Sequence, residues 1–161
     1  MANYNILNLS ERNFASPMIV GQANASGLAA TQVHPVSKTI FTKVCAIERG
    51  RLVGLKADGL VYAASAESGA GQVAAIGWNF QECANGQAID VMKAELEIDL
   101  GADVESAVPG GLAYLHITVP GTVQVTAPTG EGQLVQVVGV FVTARVIKYD
   151  VQPGTLVPAA A

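Results

Sequence analysis

Hydrophobic and polar residues alternate along several short stretches in the second half of the chain. In LAYLHIT, Leu115 and Ile117 fall on one face of a strand and Tyr114 and His116 on the other, which is the period of a half-buried β-strand. TVQVT, residues 122–126, alternates in the same way. VVGVFV, residues 137–142, is apolar throughout, which predicts a strand buried on both faces. No stretch keeps a helical period with caps, so the pattern predicts an all-β protein.

Glycines mark the connections between these strands and recur along the chain. Pro120-Gly121 suits a type II turn, because the second of the two central residues must take a positive φ. Gly139 lies inside VVGVFV and predicts a bulge or a close backbone approach. RLVGLKADGLVYAASAESGAGQVAAIG repeats the layout of LAYLHITVPGTVQVTAPTGEGQLVQVVG, with Gly59 and Gly77 at the positions of Gly121 and Gly139. We therefore expect a small β-barrel or sandwich built from two similar β-meanders, with an extended N-terminal arm.

The chain divides into three zones. Residues 1–37 carry two charged side chains, Glu11 and Arg12, and apolar residues that follow no regular period. We interpret this zone as an extended arm that lies along a partner surface, with a disordered terminus as the alternative. Residues 38–150 form the β-domain, and residues 151–161 form a tail punctuated by prolines. The arm residues expected to contact the partner are Ile6, Leu7, Leu9, Phe14, Met18 and Ile19.

Charged residues are scarce. They make up 14% of the 161 residues, while hydrophobic residues make up 50%; an average soluble domain is about 25% charged. Between Ser106 and Ala144 the only formally charged residue is Glu131, and the only histidine is His116. We expect so neutral a surface to be covered by another molecule. The net charge of −4, without clustered lysines or arginines, argues against a nucleic-acid partner.

The apolar composition does not predict a membrane protein. No apolar run approaches the roughly 20 residues that a helix needs to cross a bilayer. The first residues lack the basic and continuous apolar regions of a secretion signal. We therefore expect no membrane partner and maturation in a cytoplasm. Cys45 and Cys83 are expected to be reduced thiols in that setting, with a disulfide as the alternative.

Two motifs admit a ligand-binding interpretation. GAGQVA, from Gly69 to Ala74, has the spacing of a dinucleotide-binding loop, but that loop must join a strand to a helix. The flanking residues predict strands instead, so a loop between strands is preferred. Glu95, Glu97 and Asp99 share one face of a strand and could attract Ca²⁺. Because such side chains lie about 7 Å apart and no coordinating loop accompanies them, a solvated face, or one that meets a partner's basic residues, is preferred.

Residues for catalysis are not recognisable. His34 and His116 lie outside any signature of a nucleophilic serine or cysteine, and Cys45 and Cys83 form no C-x-x-C pair with which a zinc site could begin. We expect that the protein is not an enzyme and has no cofactor and no metal.

The capsid decoration (cement) proteins of tailed bacteriophages have sequences that this chain resembles. The resemblance rests on GGLAYLHITVPGTVQVTAPTGEGQLVQVVGVFVTARVIKYD and on RGRLVGLKADGLVYAA, and it covers roughly residues 44–150, leaving the arm outside. It implies a small β-domain, commonly trimeric, that binds the outside of an icosahedral head and reinforces it. The implied partners are the major capsid protein and the chain itself as a homotrimer, on the capsid exterior of a virion assembled in the host cytoplasm.

Contacts between copies are expected at aromatic and apolar side chains of the β-domain. Trp78 and Phe80, in GWNF, are candidates because aromatic residues dominate binding hot spots, with a core position for Trp78 as an equal alternative. The other residues assigned to this contact are Tyr114, His116, Val140 and Phe141. The alternative function is that of a tail or head-fibre β-module that binds a glycan on the host surface.

Overall fold

The computed structural model describes residues 47–79, 82, 84, 89–93 and 96–160, together with the backbone of residues 5–6, 18–23, 29–30, 33–34, 37–38 and 42–43. Its β-strands are β1 (Asn5–Ile6), β2 (Met18–Ala23), β3 (Ala29–Ala30), β4 (Val33–His34), β5 (Ser37–Lys38), β6 (Thr42–Lys43), β7 (Leu52–Leu55), β8 (Leu60–Ala63), β9 (Gly77–Asn79), β10 (Ile89–Met92), β11 (Glu97–Asp99), β12 (Leu112–Leu115), β13 (Val123–Gln124), β14 (Leu134–Val135), β15 (Val137–Phe141), β16 (Val146–Tyr149) and β17 (Thr155–Leu156). A 3₁₀ turn occupies Gly69–Gly71.

Two larger sheets contain most of these strands. One has seven strands in the order β3-β2-β10-β9-β7-β8-β6, and the other has six in the order β1-β11-β16-β15-β12-β13. The strands β14 and β17 form a small antiparallel pair, and β4 and β5 form another. The protein is nearly all β with a curled, half-barrel sheet, which confirms the predicted fold class.

The two predicted meanders have the same strand order. The first meander runs β10-β9-β7-β8 across its sheet and the second runs β16-β15-β12-β13, and every pairing within both is antiparallel. Gly59 and Gly121 both have a positive φ, of 80° and 77°, as their turns require. A Cβ on Gly77 would run into the carbonyl oxygen of Met92, and one on Gly139 into that of Lys148. The equivalent glycines therefore have the same backbone role in the two meanders: a positive φ in the turn, and close approach to a carbonyl of the neighbouring strand.

The main core joins both meanders. Trp78 from β9 is fully buried, and its ring centroid lies 6.3 Å from that of Tyr149 on β16. The Tyr149 hydroxyl donates a hydrogen bond to the Gly50 carbonyl at 3.0 Å. Phe141 is also buried, with an exposed fraction of 1%. Side chains enclosed by their own chain cannot contact another copy, so the alternative of a core position holds for Trp78, and the assignment of Phe141 to an oligomer contact is corrected to a core position.

The stretch VVGVFV is buried on one face of a single chain, which corrects the prediction of a strand buried on both. Val138 and Phe141 are fully enclosed, whereas Val140 is half-buried and Val142 is 41% exposed. The register shifts where Ala113 pairs with Gly139 and Tyr114 pairs with Val137, so Val138 and Gly139 form a bulge. The bulge directs Val138 into the core and returns Val140 to the outer face. This confirms the bulge predicted from Gly139.

The predicted arm and tail are partly paired with the chain's own strands. The backbone of β1 pairs with β11, and β2 pairs with β10 over four residue pairs. In the tail, β17 pairs with β14, and the amide of Val157 donates to the carbonyl of Gln133 at 2.9 Å. The zone boundaries near residues 37 and 150, and the arm's contact with a partner, stay predictions.

Candidate interaction surface

The outer face of the six-stranded sheet carries a row of apolar side chains. Leu112 on β12 lies opposite Val140 on β15 in the antiparallel register. Because Ile147 and Tyr149 of the next strand point into the core, Lys148, which lies opposite Val140, faces outward. Val140 and Leu112 therefore also face outward. Leu112 is 45% exposed, a large fraction for a leucine in a sheet interior.

Two further valines extend this row. Val142 follows Val140 by two positions, just past the end of β15, and is 41% exposed; its amide donates to the carbonyl of Val146 at 2.8 Å. Val108 is 59% exposed, and its Cγ2 lies 3.4 Å from the position that a Cβ on Gly111 would occupy. Val108 is thus beside the start of β12. We call the four side chains the apolar strip: Val108, Leu112, Val140 and Val142.

Charged pairs border the apolar strip on the side of β11. Glu97 lies opposite Lys148, and Asp99 lies opposite Val146. Asp99 accepts two hydrogen bonds from Arg145, at 2.5 Å from Nε and 2.9 Å from Nη2, and a third from the Gly101 amide at 2.8 Å. The guanidinium of Arg145 lowers the pKa of the Asp99 carboxyl below its ordinary value.

The predicted acidic face is therefore matched by bases of the same chain. Glu97 and Asp99 share the outer face, as the alternation predicted, and their nearest bases in register or contact are Lys148 and Arg145. Glu95 lies outside the described residues. Within the described ranges, no group of three or more His, Cys, Asp or Glu side chains is arranged to hold a metal ion.

The remaining residues assigned to an oligomer contact have different positions. Tyr114 and Val140 are half-buried on the outer face of β12 and β15. His116 follows the end of β12 and begins a turn, which differs from the predicted position inside a strand. Phe80 lies outside the described residues, as do Leu7, Leu9 and Phe14 of the arm. For Ile6, Met18 and Ile19 the structure describes the strand backbone but not the side chains.

A cavity of about 510 Å³ opens beside this turn. Its walls combine valines with polar side chains. Gln124 belongs to these walls, and its side chain is held by the backbone, since Oε1 accepts from the Ile117 amide at 3.1 Å. The lining residues are Val104, Glu105, Ser106, His116, Val123, Gln124, Val125 and Thr126.

The dinucleotide-like motif GAGQVA forms a loop between strands. Its first three residues make the 3₁₀ turn, Val73 forms a bridge with Ser65, and β9 begins at Gly77. The Gln72 side chain donates to the Gly132 carbonyl at 2.8 Å, which joins this loop to its counterpart in the second meander. The preferred interpretation, a loop between strands, is confirmed.

Sequence reasoning assigned Val140 of the apolar strip to a contact between copies but missed Val108, Leu112 and Val142, although for Leu112 the sequence contains a signal. Leu112 precedes Tyr114 by two positions, so the same alternation that placed Tyr114 on the outer face also applies to Leu112. The exposure of Val142 could not be predicted, because VVGVFV contains no polar residue that would mark the outer face.

Two comparisons with known proteins, one with family models and one with curated sequences, found no match. Within the described part of the chain, no helix has the length and apolar character needed to span a membrane.

Proposed function

We propose that this chain is a capsid decoration protein, which binds the outer surface of a phage head and links neighbouring capsomers so that the shell resists the pressure of packaged DNA. The sequence resemblance and the all-β fold of two meanders both support the proposal. The observation that carries it is the position of the apolar strip. All four of its residues lie within the stretch from Ser106 to Ala144, which has one formal charge, on Glu131.

The apolar strip has the composition expected at the centre of a protein contact. The centres of interfaces are depleted in charge, and the surrounding rim is polar. Here Leu112 and Val142 occupy the centre, while Lys148 and Arg145 lie toward the rim on β16 and just before it. We assign the apolar strip to the contact between copies of the chain in a homotrimer. Tyr114, on the same face, belongs to this contact as well.

A trimer reinforces the shell through several weak contacts at once. Each copy adds one capsid contact, which we assign to the arm at residues 1–37. Once one arm is bound, binding of the others becomes intramolecular, so the whole trimer is held far more tightly than a single arm.

The test compares two Leu→Lys variants of similar exposure. Leu112→Lys changes the apolar strip, and Leu55→Lys changes a leucine that is 41% exposed on the other sheet. We expect Leu112→Lys to remain folded but sediment as a monomer, because the contact would bury an unpaired ammonium. Leu55→Lys should sediment as the wild type does. The wild type and the two variants are then mixed with DNA-free heads of the phage that encodes the chain, and binding is measured by co-sedimentation and negative-stain imaging.

The outcomes separate the two parts of the proposal. Wild-type protein that does not bind heads refutes the decoration function, whatever its oligomeric state. Head binding by a wild-type monomer, or a Leu112→Lys variant that stays trimeric, refutes the assignment of the apolar strip. A glycan-array signal without head binding would favour the alternative, a glycan-binding module. That alternative has less support, because His116 is the one side chain with an aromatic ring among the residues that line the described cavity.

A further inference from the structure

The turn from His116 to Thr122 connects the two meanders. The Ala66 amide donates to the His116 carbonyl at 3.0 Å. The Gly121 amide donates to the Ala64 carbonyl at 2.7 Å, and the Leu52 amide donates to the Gly121 carbonyl at 3.1 Å. All three bonds cross from the first meander to the second. This turn therefore supplies part of the backbone contact between the two halves of the molecule.

The imidazole of His116 holds the turn together. Its Nδ1 accepts hydrogen bonds from the backbone amides of Thr118 and Val119, each at 3.1 Å. An imidazole nitrogen can accept only while it is unprotonated, so the ring is neutral and carries its proton on Nε2. The turn then closes through the Val119 carbonyl, which accepts from the Thr122 hydroxyl at 2.7 Å and from its amide at 3.3 Å.

We propose that His116 is a pH-sensitive latch, in which protonation of Nδ1 opens the turn and weakens the contact between the two meanders. A proton on Nδ1 would point at two amide hydrogens that are themselves donors. Both hydrogen bonds would be lost, and the ring would have to turn away. The backbone of the turn would lose the acceptor that keeps the His116 and Gly121 bonds to the first meander in place.

The surroundings of the ring contain little charge that could offset this effect. His116 shares its cavity with Glu105, the one other titratable residue among the cavity's described lining residues. Gln124 and Thr126, which also line the cavity, are uncharged, as is Thr118 of the turn itself. The first meander contributes Glu67, which is exposed and whose carboxylate lies against Gly71. Burial of the ring lowers the pKa of His116 below its ordinary value.

The direction of the pH effect follows from this lowered pKa. In the unfolded chain the imidazole titrates near its ordinary pKa of about 6.5. Because the folded state binds the proton less readily, unfolding takes up a proton as the pH falls below that value. The stabilising effect of the latch is complete above about pH 7 and is lost on acidification below about pH 6.5. This pH effect is a property of the free chain and does not rest on the proposed function.

The decisive variant is His116→Asn. The asparagine Oδ1 occupies nearly the place of the histidine Nδ1, so it can accept the same two amides, but it cannot be protonated. His34→Asn is the matched control, because His34 is the one other histidine of the chain. Melting temperatures are measured from pH 8 to pH 5.5, a range above the ordinary pKa values of the carboxylates. We expect the melting temperatures of the wild type and His34→Asn to decrease on acidification and that of His116→Asn to decrease by less than half as much.

If the melting temperatures of the wild type and His116→Asn decreased equally with falling pH, the proposal would be overturned. A second measurement uses the wild type alone, in case the variant does not fold. The ¹H–¹⁵N resonances of Thr118 and Val119 are followed over the same pH range, together with the ring nitrogens of His116. The latch requires both amides to shift with the midpoint of the ring. Amides that do not respond while the ring titrates would refute it.

Discussion

Gln136 joins three distant parts of the chain through one buried side chain. It is 3% exposed. Its Oε1 accepts from the Ala75 amide at 2.8 Å, and its Nε2 donates to the carbonyls of Ala75 at 2.9 Å and Gln152 at 2.8 Å. The first meander, the second meander and the tail thus meet at a single amide group. We predict that Gln136→Leu destabilises the protein strongly although it replaces one buried side chain by another of similar size.

The magnitude follows from the groups left without a partner. The amide and the carbonyl of Ala75 both lose their hydrogen bonds, and Ala75 is buried, so water does not replace them readily. Each unsatisfied buried group costs about 1–3 kcal/mol. The Gln152 carbonyl belongs to an exposed residue and costs less. The leucine side chain returns roughly 1–2 kcal/mol of apolar burial. We therefore expect a net loss of about 3 kcal/mol in the free energy of unfolding.

Urea denaturation measures this loss directly. With a denaturant dependence of about 2 kcal/mol/M, a loss of that size lowers the midpoint by roughly 1.5 M. The control is Gln133→Leu, which removes a half-buried glutamine whose Oε1 accepts only within its own turn, from the Gly130 amide at 2.8 Å. That control should lose about 1 kcal/mol or less. Equal losses in the two variants would show that the buried position of Gln136 has no special effect.

Two backbone predictions follow from the glycine and serine geometry. Ser106 has a φ of 64°, so Ser106→Gly should raise the free energy of unfolding by about 1 kcal/mol. The control is Ser68→Gly, at a φ of −76°, which should lower the free energy of unfolding. A lower free energy of unfolding in both variants would contradict the strain at Ser106. Gly139→Ala and Gly77→Ala each direct a methyl group at a carbonyl of the neighbouring strand, so each should lose about 2 kcal/mol or more in thermal or urea unfolding. A neutral result for either would break the equivalence of the two meanders.

The sequence by itself determined the features that depend on near neighbours along the chain. Side chains alternate across a strand by backbone geometry, so LAYLHIT was enough to place Tyr114 and Leu115 on opposite faces. The turns at Gly59 and Gly121 were predictable because only a residue without a Cβ takes a positive φ at little cost. The repeated order of these signals also predicted two meanders of the same strand order.

Only the tertiary structure decided which apolar residues are enclosed and which are left on the surface. Trp78 and Leu112 are both apolar strand residues, yet Trp78 is fully buried and Leu112 is 45% exposed. Periodicity distinguishes the two faces of a strand but does not say what covers each face, because that depends on strands distant in sequence. The same holds for Gln136, whose partners Ala75 and Gln152 come from remote segments. Hydrogen-bond partners and burial are properties of the packed whole, and a pattern of neighbours does not contain them.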